Sequence, residues 1–126
     1  MKVIGLNEYQ KLAGRTSRPF PTPVQDLQHA QLGIASEGGE IADTLKKHIA
    51  YNQSLDTENL KEELGDLMWY VALGATALGL DLSDICEANI DKLRKRYPDK
   101  YSDEHAAARA DKVESVQGEL FGEVQQ

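Results

Sequence analysis

Four acids stand at spacings that gather carboxylates if the chain is helical: Glu37 and Glu40 in one segment, Glu63 and Asp66 in the next. Residues three apart are neighbours on a helix surface, so each pair presents two carboxylates to one side. Glu37 lies three residues after Ile34 and four before Ile41, inside the apolar stripe of its segment, and Glu40 flanks that stripe one turn on. Glu63 falls between Leu60 and Leu67 at the edge of the second stripe, with Asp66 further along the same flank. Packed antiparallel, the two helices bring the four acids together. Two carboxylates about 4 Å apart repel by roughly 4 kcal/mol at an effective dielectric near 20, so such a group needs shared protons or a cation.

A divalent cation is the simplest resolution, and the composition restricts which one. Cys86 is the single cysteine and the histidines are scattered, so neither a disulfide nor a cysteine zinc site is available. No histidine follows any of the acids by three residues, which argues against the Glu-x-x-His ligands of a di-iron bundle. Oxygen ligands remain, and they suit Mg²⁺, with Mn²⁺ as a substitute. Mg²⁺ keeps several waters and leaves positions for phosphate oxygens and an attacking water. The competing reading is that acids at this spacing are ordinary solvated helix residues. Against it, no lysine stands four residues on from Glu37, Glu63 or Asp66 to neutralise them.

Other residues could serve a polyanion. Lys46, Lys47 and His48 close their helix, where cations also complement the negative end of the dipole without any ligand. Asn89, Lys92 and Arg96 follow at steps of three and four, either a solvated face or an amide and two cations in line. His29 shares a side with Glu40 and Lys47, within reach of a bound nucleotide or simply polar surface. Trp69 and Tyr70 could stack on a base, or pack in the core or against another subunit. Cys86 reads as a small buried hydrophobe. Arg15 and Arg18, in a loop with Pro19, Pro21 and Pro23, could close over phosphates.

The elements that must position these residues are helices. Strand alternation is absent and aromatics make up only 6% of the chain. Asn7 with Gln10 predicts a capping box on a short first helix that closes near Gly14. The second opens with Thr22, Pro23 and Gln25 and runs to about Tyr51, where Asn52-Gln53-Ser54 ends it. Asp56 or Thr57 caps a third, with a stripe from Leu60 to Leu78 and a stop at Gly79. Asp81 or Ser83 caps a fourth that ends before Pro98, and Ser102 a shorter fifth reaching about Glu114. The fold expected is an all-α bundle of four to five helices in one domain, residues 1–114, followed by a polar, frayed tail at 115–126.

The third helix is apolar on more than one side: Met68, Trp69 and Ala72 lie away from the Leu60 to Leu78 stripe. Either the chain packs it on all sides or a second copy covers it, which favours a homo-oligomer. Fourteen basic residues against 21 acidic ones give a net charge of −7, which argues against a nucleic-acid partner. No run approaches the roughly 18 apolar residues of a membrane span, and the N-terminal stretch turns polar at Asn7, so the expectation is a soluble, cytoplasmic protein.

From about Leu27 to Tyr101 the residues resemble the MazG-like all-α nucleoside triphosphate pyrophosphohydrolases, a group that includes dimeric dUTPases and phosphoribosyl-ATP pyrophosphohydrolases. The mark is E-x-x-E followed by E-x-x-D, here Glu37-Gly38-Gly39-Glu40 and Glu63-Leu64-Gly65-Asp66 with 22 residues between, then ANIDKLRKRYPDKYS. The resemblance implies a homodimer or homotetramer, Mg²⁺ held by the four acids, and water attack at the α-phosphorus of a nucleoside triphosphate, giving monophosphate and pyrophosphate. It also implies that one of these acids, or a further one, orients the water. Asn89, Lys92 and Arg96, together with Lys47, would hold the β- and γ-phosphates. Phosphoribosyl-ATP hydrolysis and a non-catalytic binding module are the alternatives. Many relatives carry an extra acid where this chain has Ser36, a part Asp43 or Glu62 could take. The Gly38-Gly39 pair inside a helix suggests close approach of a helix or of substrate.

Overall fold

Five helices are described, with no strand among the described residues: α1 (Leu6–Gly14), α2 (Pro23–Tyr51), α3 (Thr57–Ala77), α4 (Leu82–Arg96) and α5 (Asp103–Ala108). The structure, a computed structural model, describes residues 1–3 and 5–112; the expected tail at 115–126 lies outside them. No helix among the described residues is long and apolar enough to cross a membrane. The chain divides into two compact units, Met1–Ser83 and Asp84–Gln126.

In the first unit, local chemistry sets the ends of the two long helices. Thr22 Oγ1 accepts from Gln25 N at 3.3 Å while Gln25 Oε1 accepts from Thr22 N at 3.2 Å, so the capping box forms as the sequence dictates, with Pro23 at the first helical position. Asn52 takes the left-handed conformation (φ 55) and stops α2. Asp56 Oδ1 accepts from Asn59 N at 3.0 Å and starts α3. Gly79, at φ 68, ends the following turn with Leu80 N donating to Ala75 O at 3.0 Å.

The expected capping box on α1 does not form. That helix starts at Gly5 with no side-chain cap, and Asn7 and Gln10 act at long range instead. Gln10 Oε1 accepts from Leu82 N (2.7 Å), and Gln10 Nε2 donates to Leu80 O (2.9 Å) and Thr76 Oγ1 (3.1 Å). Asn7 Oδ1 accepts from Ser83 N and its Nδ2 donates to Ser83 Oγ, both at 2.9 Å. The first amides of a helix have no partner within it. Here those of Leu82 and Ser83 are met by side chains from α1, next to the fully buried Leu82.

α2 and α3 pack together and α1 packs on α3. The pairs Ala30 with Gly74, Gly33 with Tyr70, and Thr44 with Asn59 occur in opposite order along the two helices, which makes them antiparallel. Small residues form the seam: Ala30, Gly33 and Gly74 are buried, and a β-carbon on Gly74 would sit 3.6 Å from that of Ala30. Close approach leaves long side chains outside; Leu32 and Ile49 of α2 are 70% and 80% exposed, and Leu64 and Met68 of α3 and Leu78 just after it are also exposed.

The second unit holds most of α4, then α5. Ser102 caps α5 by accepting from His105 N at 3.1 Å. The expected run to Glu114 is broken: Arg109 takes a left-handed conformation (φ 47), α5 stops at Ala108, and helical geometry resumes at Ala110. Arg96 donates from Nε and an Nη to both oxygens of Asp111, at 2.8 and 2.9 Å, which holds the chain beyond that break. Cys86 is a half-buried free thiol.

Candidate functional site

Steps of three, four and seven residues link Ala30, Gly33, Glu37 and Thr44 on α2, and steps of four and three link Asn59, Glu63, Asp66, Tyr70 and Gly74 on α3. Each series is one helix face, so the face that supplies the small residues of the seam also supplies the acids. Where the seam carries acids, one oxygen each from Glu37, Glu63 and Asp66 lies within 4.8 Å of the others. Glu37 and Glu63 are half-buried and Asp66 is exposed. At that spacing and an effective dielectric near 20, each ionised pair repels by about 3 kcal/mol.

Glu37 records the repulsion. Burial, a hydrogen bond with Glu63 and the charges of Asp66, Glu63 and Glu40 hold its carboxyl above the usual carboxylate range. A hydrogen bond between two carboxyls requires a proton shared between them. A cation can replace that proton. All three donors are carboxylate oxygens with no sulfur or imidazole among them, a set that fits a hard divalent ion such as Mg²⁺ or Mn²⁺.

Glu40 is not part of this triad, although its charge is felt at Glu37. It lines a neighbouring polar cavity of about 620 Å³ with Thr44, Lys47, Asp56, Glu58 and Asn59. Lys47 is held by Asp43 at 2.7 Å, which raises the lysine's pKa, while Lys46 and Lys47 together pull Asp43 down to about 2. Asp43 is thus engaged by lysines, and the Ser36 hydroxyl donates to Gly33 O at 3.1 Å. β-Carbons on Gly38 and Gly39 would meet nothing within 4 Å. No helix presses on that pair among the described residues, and the glycine that close packing requires is Gly33.

In the second unit Asn89 and Lys92 are exposed. Arg96, expected to meet phosphate, is occupied by the Asp111 carboxylate; the pairing raises the arginine and draws Asp111 down to about 2.

His29 lies among aromatic rings, with centroids 5.3 Å from Phe20, 6.5 Å from Trp69 and 5.6 Å from Tyr70, and its buried Nδ1 has no hydrogen-bond partner among the described residues. Trp69 Nε1 donates to Ala13 O and Thr16 Oγ1, anchoring α3 to the end of α1. Arg18 stacks over Phe20 at 5.7 Å. Three residues at the site escaped sequence reasoning. Tyr9 is raised by burial and by the charge of Asp66, and it lines a groove with Gly65 and Met68, the neighbours of that acid. Thr44 and Asn59 form the wall between Glu63 and the polar cavity. The register of Asn59, four residues before Glu63, was the signal for the last of these.

Residues 25–101 match the family profile of the MazG nucleotide pyrophosphohydrolase domain, more than half of the chain. The "Gene 37 protein" of Mycobacterium phage L5 is 36% identical over 77 residues, which cover 58% of this chain and 68% of that protein. No solved structure matches the chain.

Proposed function

We propose that this chain, which belongs to the MazG nucleotide pyrophosphohydrolase family, hydrolyses nucleoside triphosphates to the monophosphate and pyrophosphate by water attack at the α-phosphorus. The observation that carries this reading is the triad of Glu37, Glu63 and Asp66, drawn from two helices into a half-buried seam at a separation suited to one shared ion. These three would hold Mg²⁺, with Mn²⁺ as a substitute. Such an ion, when bound, neutralises developing phosphate charge and lowers the pKa of a water.

The chain's own groups divide the remaining work. Glu40, outside the triad yet within its field, serves either as a fourth ligand or as the acceptor for the proton of the attacking water. Lys47 lines the adjoining cavity and can exchange Asp43 for a phosphate oxygen. Asn89, Lys92 and Arg96 are the further phosphate groups; Arg96 must trade the Asp111 carboxylate for phosphate, an exchange of like for like in charge and fork geometry. The substrate class is canonical or damaged (d)NTPs, and the role is cleansing of the nucleotide pool. A homodimer or homotetramer belongs to the same proposal, supported by the exposed apolar side chains of α2 and α3.

The test is product identity. With Mg²⁺ and a panel of nucleotides, the purified protein should release pyrophosphate from at least one; orthophosphate as first product excludes attack at the α-phosphorus. Mg²⁺ at millimolar concentration should also raise the melting temperature, since the acids come together only in the folded chain. Neither turnover nor a shift would point to a binding module that has kept the scaffold.

A further inference from the structure

We propose that Thr44 and Asn59 form a hydrogen-bond relay that orients the Glu63 carboxylate for ion binding, which makes both of them positioning residues of the acid cluster. Thr44, only 8% exposed in the seam, donates its hydroxyl to Asn59 Oδ1 at 2.5 Å, and Asn59 Nδ2 donates to Glu63 Oε1 at 3.0 Å. Direction follows from chemistry. An amide has one accepting and one donating end, and an ionised carboxylate can only accept. The accept-only carboxylate therefore takes the NH₂, and the threonine hydroxyl, which can donate, holds the accepting end in place; the flipped amide would set its oxygen against that of Glu63.

The relay is also fixed at its base. Asn59 N donates to the helix cap Asp56 Oδ1 at 3.0 Å, so backbone and side chain of Asn59 are both tied. Its side chain spans from α2 to the α3 residue one turn on. With Oε1 engaged by Asn59, the other oxygen of Glu63 would be left for an ion at the cluster. Groups that hydrogen-bond a metal ligand in this way set its orientation, and removing them typically weakens metal binding by about 10- to 100-fold.

This inference rests on the reading of Glu37, Glu63 and Asp66 as ligands, and the experiment separates the two. Mn²⁺ binding is measured directly by the loss of the free-ion paramagnetic resonance signal, with metal-free melting temperature and helical circular dichroism recorded for every variant. Glu63→Gln sets the scale. Asn59→Ala and Thr44→Val should weaken Mn²⁺ binding by about 10- to 100-fold, whereas Thr44→Ser, which keeps the hydroxyl, should bind like wild type. Asn59→Ala introduces a better helix former, so its metal-free fold should be retained. Wild-type affinity in Asn59→Ala overturns the relay and leaves the ligand reading standing. A wild type that binds no Mn²⁺ overturns the ligand reading and the relay with it.

Discussion

Gly33 lies flush against the ring of Tyr70: a β-carbon on Gly33 would come within 2.1 Å of Tyr70 Cδ1. The ring is itself edge-packed on Trp69 at 4.9 Å and on His29 at 5.6 Å, so it cannot retreat without disturbing them. Gly33→Ala should therefore destabilise the fold by about 1–3 kcal/mol through overpacking. Gly38→Ala, whose β-carbon meets nothing within 4 Å, should stabilise the metal-free chain by up to about 1 kcal/mol, the ordinary helix preference for alanine. Denaturant titrations of the two variants should move in opposite directions; movement in the same direction would contradict the seam as described.

The acids of the cluster, and Glu40 beside it, are expected to matter for turnover far more than for folding. Glu40→Gln and Asp66→Asn should each lower pyrophosphate release at least about a hundredfold with helical content unchanged, because they remove charge from an exposed or half-open site rather than volume from the core. Near-normal rates in both would remove these residues from the chemistry.

Stability in the absence of metal should depend on pH with a definite sign. Glu37 is raised by burial and by its acidic neighbours, so the folded chain holds its proton more tightly than the unfolded chain. Its contribution is complete below the ordinary glutamate value of 4.5 and is lost as pH climbs through the raised value. Asp43 and Asp111 behave oppositely: lysines and Arg96 draw them to about 2, so their contribution is present above 3.8 and is lost as pH falls through about 2. With EDTA present, the Glu37 contribution to the melting temperature should decline as pH rises above 4.5. Glu37→Gln should flatten that decline, and a profile parallel to wild type would show that Glu37 is not its source.

Gln10 tests the reach of α1. Its Oε1 caps the amide of the buried Leu82, and Gln10→Ala leaves that donor unsatisfied at a cost of about 1–3 kcal/mol. Asn7→Ala should cost less, since both of its bonds to Ser83 are exposed to water. Urea midpoints would check the order; equal, negligible effects would mean that water replaces both side chains freely.

What the sequence discloses, and what it hides, follows the range of the forces involved. The ends of α2 and α3 were legible because Thr22, Gln25 and Asp56 act on amides two or three residues away. The grouping of Glu37, Glu63 and Asp66 was legible because Glu37 stands inside the apolar stripe of its helix while Glu63 and Asp66 run along the edge of the next. Asn7 and Gln10 carry the same local spacing as a capping box but serve amides more than seventy residues on, and no local pattern distinguishes the two uses. Gly33, Thr44 and Asn59 gain their meaning only from the residue opposite, which depends on the register of two helices. Gly38 and Gly39 drew attention as unfavourable helix residues, while Gly33, equally unfavourable, was the one that packing required.

Trp69 is the chain's single tryptophan, three residues beyond Asp66, with its indole N–H shared between Ala13 O at 3.2 Å and Thr16 Oγ1 at 2.9 Å. Indole emission changes colour and yield when such bonds break or when charge changes nearby. The chain therefore carries an intrinsic optical reporter: one unlabelled fluorescence signal follows both the seating of its first helix and events at the acids a turn away.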